Sequence, residues 1–198
     1  MQSLCVFCGA AHGADPAYTE AAAAFGKALT RHRIELVWGG GQVGLMGVVA
    51  DAVIAGGGKT YGIIPSFMAE RELAHPDADT MIIVDSMHER KARMAEKADG
   101  FVALPGGFGT LDELFEIITW AQLHIHVKPI GLLNVRGFFD PLLVMTRHLA
   151  AAGFVRDEHL KMLYVDNDPD ALLIAMSAHC APQDDWIHKV SRRRVPIA

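Results

Sequence analysis

The chain has few cysteines and no long hydrophobic run, and each shortage excludes a class of protein. Three of its 198 residues are cysteine, and so small and odd a number predicts no disulfide framework. No apolar run approaches the roughly 20 residues of a membrane span, and the apolar stretch at residues 4–7 is too short for the core of a signal peptide. We therefore expect a cytoplasmic protein that does not bind membranes.

An excess of basic residues is also missing. Lysine and arginine together number 18 against 23 aspartates and glutamates, which gives a formal net charge of −5. Binding to a nucleic-acid backbone needs a basic face that releases counterions, so we do not expect nucleic acid as a partner. The hydrophobic fraction of 51% is enough for one folded domain over residues 1–198. Only a tail at about residues 190–198 is basic.

The spacing Cys5-x-x-Cys8 admits a redox or a zinc-binding interpretation. Both residues fall in a predicted strand and its exit, and no second CxxC motif follows, so we favour packing in the core. His124-x-His126 comes nearest to a metal-binding pair, but it lacks a carboxylate partner. We assign no metal and expect both histidines at the surface or an interface.

Apolar strands and amphipathic helices alternate along the sequence. Periodicity and punctuation by glycine and proline predict strands at residues 4–8, 34–38, 60–64, 81–84, 101–104, 129–133 and 163–165. They predict helices at residues 16–32, 45–55, 87–98, 110–123, 140–151, 156–162 and 169–177. Residues 66–80 are mixed and polar. Because the strands are nearly all apolar, the predicted fold is a single-domain, Rossmann-like α/β structure, a doubly wound parallel sheet with helices on both faces.

The first glycine turn, residues 39–44, lies between the second predicted strand and a helix. Its sequence Gly-Gly-Gly-Gln-Val-Gly satisfies G-x-G-x-x-G, in which small residues let backbone amides approach an anion. A dinucleotide site would also have a carboxylate at the end of the next strand, where this chain has Ile64 and Pro65. NAD(P) binding is therefore disfavoured, and tight packing stays open as the reason for some of these glycines.

The second glycine turn, residues 105–109, reads Pro-Gly-Gly-Phe-Gly and precedes another helix. Its backbone donors and the Thr110 hydroxyl suit the phosphate of a mononucleotide at the positive end of that helix. The alternative is a capping box, in which Thr110 and Glu113 only satisfy free backbone amides. That alternative leaves three closely spaced glycines unexplained, so we favour phosphate binding.

Three segments carry a resemblance to a known family: residues 105–113, the Met-His-Glu-Arg-Lys run at residues 87–91, and residues 39–47. Together with residues 119–122, 128–129 and 131–135, they resemble the LOG family over the chain from Cys5 to about Phe154. Its members are cytokinin riboside 5'-monophosphate phosphoribohydrolases, often labelled possible lysine decarboxylases. The resemblance implies a homodimeric hydrolase without metal or cofactor that converts an N6-modified adenosine 5'-monophosphate to free base and ribose 5-phosphate.

The resemblance also implies a set of site residues. The family's catalytic arginine and glutamate correspond to Arg90 and Glu113 here. The implied substrate-binding residues are Gly39, Gly40, Gly41, Glu72, Lys91, Met94, Gly106, Gly107, Gly109 and Thr110. Glu70 is the alternative to Glu72. Members often carry serines after the first-strand Cys-Gly, where this chain has Ala10 and Ala11, so backbone amides would have to serve the phosphate instead.

Cleavage of an N-glycosidic bond builds positive charge on C1' and the ring oxygen, which a fixed carboxylate can stabilise. We expect Glu113 in the first helical turn, where the helix dipole favours its ionised form. Arg90 is always cationic and suits a phosphate, a ribose hydroxyl or the Glu113 carboxylate. Without the resemblance, a solvated helix face would be the simpler interpretation of Arg90 and Lys91.

Two other functions remain as alternatives to this hydrolase. A non-catalytic nucleotide sensor could use the same scaffold, but it would have no use for a carboxylate at C1'. A lysine decarboxylase would need a lysine that holds pyridoxal phosphate, and no lysine in the sequence is a clear candidate. The base preference is not readable, although Phe67, Met68, Met87 and Trp120 are candidate apolar contacts.

Overall fold

Short apolar strands alternate with helices, and every strand pairs in parallel with its neighbours. The computed structural model describes residues 1–71 and 73–180. The strands are β1 (Ser3–Phe7), β2 (Glu35–Trp38), β3 (Thr60–Pro65), β4 (Thr80–Val84), β5 (Phe101–Ala103), β6 (Ile130–Leu133) and β7 (Leu163–Asp166). The helices are α1 (Pro16–Arg31), α2 (Gly44–Ala55), α3 (Ser66–Ala69), α4 (Met87–Lys97), α5 (Phe108–Gln122), α6 (Asp140–Ala151), α7 (Asp157–Leu160) and α8 (Pro169–Ser177). A 3₁₀ turn spans Val135–Gly137.

The sheet order is β4-β3-β2-β1-β5-β6-β7. The chain builds outward from β1 to β4 on one side and then returns to pair β5 with the free edge of β1. Ligands of such sheets bind beyond the carboxyl ends of the strands at the point where the strand order reverses. Here that point lies between β1 and β5, where the chain leaves both strands through glycine-containing turns.

Each face of the sheet carries its own hydrophobic core. One core packs α1, α2 and α8 on the sheet through residues such as Phe25, Val53 and Leu172. The other packs α4 and α5 through Met94 and Leu114, with α6 against it. Helices therefore cover both faces, and the predicted doubly wound parallel fold is confirmed.

Most element boundaries agree with the sequence prediction to within two residues. The mixed segment at residues 66–80 contains one short helix, α3, that the periodicity did not reveal. β3 ends at Pro65 itself, which is paired in register with Val84 of the edge strand β4. The predicted basic tail lies outside the described residues. Among the described residues, no helix is long and apolar enough to cross a membrane.

Cys5 and Cys8 lie in the two cores, one on each face of the sheet, and neither is in a disulfide. Burial raises the pKa of both thiols well above the usual range, with the Glu113 carboxylate acting in the same direction. Such thiols are poor nucleophiles and poor metal ligands. The prediction that this pair packs in the core is confirmed.

Candidate active site

A cavity of about 240 Å³ opens at the carboxyl edge of the sheet, beside the second glycine turn. Its walls come from the exit of β1 and from α2, α3, α4 and the start of α5. The lining residues are Cys8, Ala10, Met46, Met68, Met87, Arg90, Gly107, Gly109, Thr110, Asp112 and Glu113. The structure thus brings together five residues predicted for the site, namely Arg90, Gly107, Gly109, Thr110 and Glu113, around one space.

Arg90 is a buried cation held by backbone carbonyls. Its Nε donates to the carbonyl of Ile63 at 3.1 Å, and its Nη2 donates to the carbonyl of Gly39 at 3.1 Å. A Cβ on Gly39 would lie 1.6 Å from Nη2, so only glycine at this position leaves room for the guanidinium. The interpretation that the sequence alone favoured for Arg90, a solvated helix face, is wrong, because this side chain points from α4 inward onto β3.

Glu113 faces the free end of the same guanidinium. Its Oε1 lies 3.5 Å from Nη1 of Arg90, and both side chains are almost fully buried. Burial raises the pKa of Glu113 to about 6, although the neighbouring Arg90 charge acts to lower it. The expectation that the surroundings of Glu113 favour its ionised form is therefore corrected, because burial is the largest effect on this carboxyl and raises its pKa.

The second glycine turn leads into α5 two residues earlier than predicted. α5 begins at Phe108 with Gly107 as its N-cap, and no side chain caps it. Thr110 is accordingly the third residue of the helix and is buried, while Glu113 lies in the second turn. The capping-box alternative is wrong, which leaves both side chains free to serve the cavity that they line.

The glycines of the second turn meet different surroundings. A Cβ on Gly106 would collide with the Thr110 hydroxyl at 2.1 Å, so packing accounts for this glycine. Gly107 and Gly109 have no heavy atom within 4 Å of the Cβ position and no positive φ. Nothing in the fold of the described chain demands glycine there, and both residues border the open cavity.

The first glycine turn is shaped by its neighbours rather than by open space. Gly40 has a φ of +72°, a conformation that side chains rarely adopt. A Cβ on Gly41 would lie 2.9 Å from the end of Met46. None of the three glycines lines the cavity. Gly39 contributes to it by accepting the hydrogen bond from Arg90 Nη2.

Lys91 and Met94, two of the predicted substrate-binding residues, are not among the residues that line this cavity. Lys91 pairs with Asp112 at 3.1 Å and with Glu116 at 3.2 Å, which joins α4 to α5. Met94 is buried in the core behind Arg90. Glu72 lies outside the described residues, and Glu70, its alternative, is exposed.

Three methionines, Met46, Met68 and Met87, make the cavity partly apolar. The sequence suggested Met68 and Met87 as base contacts but not Met46, while Phe67 and Trp120 lie outside the lining. The signal for Met46 was weak, because an apolar residue in an apolar helix is ordinarily assigned to the core. Flexible thioethers suit a flat or irregular apolar group.

A second cavity of about 420 Å³ adjoins the first and shares Ala10 and Gly107 with it. The β1 exit and the second glycine turn form its floor, and His12, Tyr18 and Phe138 contribute side chains to its wall. The rings of Tyr18 and Phe138 meet edge to face at 5.6 Å between centroids. The two cavities together offer space of the size that small-molecule ligands occupy.

His124 and His126 do not form part of either cavity at the glycine turns. His126 Nε2 lies 3.0 Å from the carbonyl of Ile117, and its Nδ1 accepts from the backbone amide of Lys128. Within the described part of the chain, no group of three or more histidine, cysteine, aspartate or glutamate residues is arranged to hold a metal ion.

Comparison with known proteins finds close relatives and more distant folds. The family described as "Possible lysine decarboxylase" matches residues 46–176. Cytokinin riboside 5'-monophosphate phosphoribohydrolase LOG2 of Arabidopsis thaliana is 43% identical over 187 residues, which are 94% of this chain and 88% of the relative. LOG7 of the same plant is 51% identical over 152 residues, 77% of this chain and 70% of the relative. LOG of Oryza sativa subsp. japonica is 48% identical over 160 residues, which are 81% of this chain and 66% of the relative.

Solved structures with the same fold are more distant in sequence. The molybdenum cofactor binding protein of Rippkaea orientalis superposes with a TM-score of 0.67 at 20% identity, covering 90% of this chain and 97% of its own. The molybdenum cofactor carrier protein of Chlamydomonas reinhardtii gives 0.66 at 20% identity, covering 89% and 96%. At this identity the likeness shows the Rossmann-like fold alone. The curated relatives and the family match are close enough to show the family. The chain belongs to the LOG family, which is also described as "Possible lysine decarboxylase".

Proposed function

We propose that this protein hydrolyses the N-glycosidic bond of adenosine 5'-monophosphates, preferably N6-modified ones, to free base and ribose 5-phosphate. The buried Arg90–Glu113 pair beside a glycine-lined helix start is the observation that carries the proposal. Relatives at 43–51% identity named as cytokinin riboside 5'-monophosphate phosphoribohydrolases support it.

The chemistry that follows from this geometry needs no group beyond side chains and water. As the C1'–N bond breaks, its electrons leave with the base, and positive charge develops on C1' and the ring oxygen. The Glu113 carboxylate stabilises that charge and accepts a proton from the water that adds to C1'. A proton from solvent completes the free base. Arg90 keeps Glu113 ionised and oriented, as a fixed guanidinium does for a carboxylate.

The 5'-phosphate belongs, in this proposal, at the start of α5. Gly107 and Gly109 leave open space in front of the first backbone amides of that helix, and Thr110 adds a hydroxyl. Ala10 offers no hydroxyl from the β1 exit, so backbone donors carry more of the phosphate binding. We assign substrate binding to both glycine turns, with Gly39, Gly40 and Gly41 acting through the Arg90 seat, and we retain Glu72, Lys91, Met94 and Gly106 as predicted binding residues.

The test is release of free base from adenosine 5'-monophosphate and from isopentenyladenosine 5'-monophosphate. Glu113→Gln removes the charge with little change in volume, and Glu96→Gln is the matched control, an exposed carboxylate on α4. We expect the parent and Glu96→Gln to release base, and folded Glu113→Gln to be slower by a factor of at least about 100. A parent that binds nucleotide without releasing base would replace the hydrolase with the nucleotide sensor.

We also propose that two copies of the chain associate and that the protein acts in the cytoplasm. Large exposed apolar side chains concentrate around α5 and α6, among them Phe115, Ile125 and Val144, and surfaces of this kind mark interfaces. The cytoplasmic assignment is supported by three cysteines that are free of disulfides.

A further inference from the structure

His75 is a buried polar residue that the proposed chemistry does not use. Its side chain is 4% exposed. The ring Nε2 lies 3.1 Å from Oδ1 of Asp51 on α2, and Nδ1 accepts a hydrogen bond from the backbone amide of Asp77 at 3.2 Å. The indole of Trp38 meets the ring edge to face. The ring is thus fixed on three sides, by α2, by the end of β2 and by its own segment.

The segment that carries His75 lies along the first glycine turn. The backbone amide of His75 donates to the carbonyl of Gly40 at 2.8 Å, and the amide of Gln42 donates to the carbonyl of Leu73 at 2.9 Å. Gly41 and Ala74 form an antiparallel bridge between these two bonds. Residues 73–75 therefore act as a short extra strand on the turn, and the His75 ring anchors that strand to α2.

The first glycine turn needs such an anchor. Three consecutive glycines have the largest conformational freedom of any tripeptide, and Gly40 has a positive φ. Yet the Gly39 carbonyl must stay in place, because it accepts the hydrogen bond from Arg90 Nη2. The Trp38 indole, which donates to the carbonyl of Gly41, fixes the opposite side.

We propose that His75 is a positioning residue for Arg90: it clasps residues 73–75 onto the first glycine turn and so holds the Gly39 carbonyl that directs the guanidinium towards Glu113. The importance of this clasp for turnover rests on the proposed function. Its effect on the Arg90–Glu113 pair does not, and the two can be measured separately.

The pKa of Glu113 reports on the clasp without any substrate. The groups that act on this carboxylate are Arg90 and Lys91 from α4 and Asp112 and Glu116 from its own helix. Arg90 exerts the strongest lowering effect among them. If the clasp is lost and the guanidinium moves away, the pKa of Glu113 rises. A general loss of stability would leave the pKa of the folded fraction unchanged.

The experiment compares His75→Ala, His75→Gln and the parent, with His148→Ala as the control, an exposed histidine on α6. Glu113 is titrated by side-chain carbon-13 NMR, and base release gives kcat and KM. We expect His75→Ala to raise the pKa of Glu113 by about one unit and to lower kcat about tenfold, with a smaller change in KM. His75→Gln keeps a donor for Asp51 and should restore part of both values, while His148→Ala should match the parent.

A folded His75→Ala variant with the parent's Glu113 pKa and kcat would overturn the clasp. If His75→Ala does not fold, Asp51→Ala decides in its place, because it removes the acceptor for His75 at an exposed position. An upward shift of the Glu113 pKa in this variant supports the clasp, and the parent's pKa and kcat overturn it. If the parent releases no base, the proposed function fails, and the NMR titration still decides whether His75 positions Arg90.

Discussion

Glu113 is the residue on which the proposed chemistry depends, and two opposing effects set its protonation. Desolvation favours the neutral acid, and the Arg90 guanidinium favours the carboxylate. The balance leaves its pKa at about 6, above the usual value for glutamate and below neutral pH. At pH 7 the group is therefore largely ionised but is a stronger base than an exposed glutamate, as proton abstraction from water requires.

This protonation gives the reaction a pH dependence of defined sign. Since the proposed chemistry uses the ionised form of Glu113, we expect kcat/KM to rise with pH up to about 6 and to level off above it. The measurement is base release across pH 4.5 to 8.5, an interval of about two units on either side of the pKa. The residual rate of Glu113→Gln should lack this rise. A rate that instead falls above pH 6 would make Glu113 a general acid.

The sequence revealed which residues to consider but not how they are buried. Glu113 and Thr110 came from the second glycine turn and the family resemblance, since both lie in one continuous motif. The pKa of Glu113 could not come from the motif, because it depends first on burial in the folded protein and then on Arg90, which lies 23 positions earlier on another helix. The capping-box alternative failed because α5 starts at Phe108, two residues earlier than periodicity indicated. Periodicity does not determine helix boundaries to better than one or two residues.

At the scale of elements, both turns are rich in glycine, but glycine serves a different physical role in each. In the first turn, glycine makes room for the protein's own atoms, since a Cβ on Gly39 would overlap the Arg90 guanidinium. In the second turn, no atom of the described structure lies close to the Cβ positions of Gly107 and Gly109, and both residues line the cavity. The same substitution in the two turns should therefore have different consequences.

Gly39→Ala and Gly109→Ala test this difference. Gly39→Ala should lower the free energy of unfolding by about 1–3 kcal/mol, because the buried Arg90 has to move. Gly109→Ala should leave it unchanged or raise it by about 0.5 kcal/mol, because alanine is the better helix former, while nucleotide affinity falls. Urea unfolding and calorimetric titration with adenosine 5'-monophosphate measure the two effects. Unchanged affinity in Gly109→Ala would remove the second turn from the binding site.

Element types were predictable because the strands are apolar and the helices amphipathic, and α8 was predicted with its observed bounds. α3 was missed because four residues are too few to show a period. The sequence shows residues 66–80 only as mixed and polar, yet residues 73–75 pair with the first glycine turn in the structure. Contacts of this kind join positions far apart in sequence, and no local pattern predicts them.

At the scale of the whole molecule, the strand order explains why distant motifs share one cavity. Since β1 lies between β2 and β5, the exits of these three strands are adjacent at one edge of the sheet. The first glycine turn, the β1 exit and the second glycine turn therefore meet there, although 60 or more residues separate the two turns along the chain. The sequence predicted a parallel sheet but not the order of its strands, which depends on long-range packing.

The distribution of exposed apolar side chains predicts how two copies associate. Ile125, directly after α5, is 63% exposed, and Ile174 on α8 in the opposite helix layer is 61% exposed. An aspartate at either position costs each monomer little, because neither side chain is in the core. If the α5–α6 layer is the interface, Ile125→Asp should sediment as a monomer, and the parent and Ile174→Asp as dimers. If the parent sediments as a monomer at micromolar concentration, the proposed dimer is wrong. If Ile125→Asp is dimeric and Ile174→Asp is monomeric, the interface lies on the opposite layer.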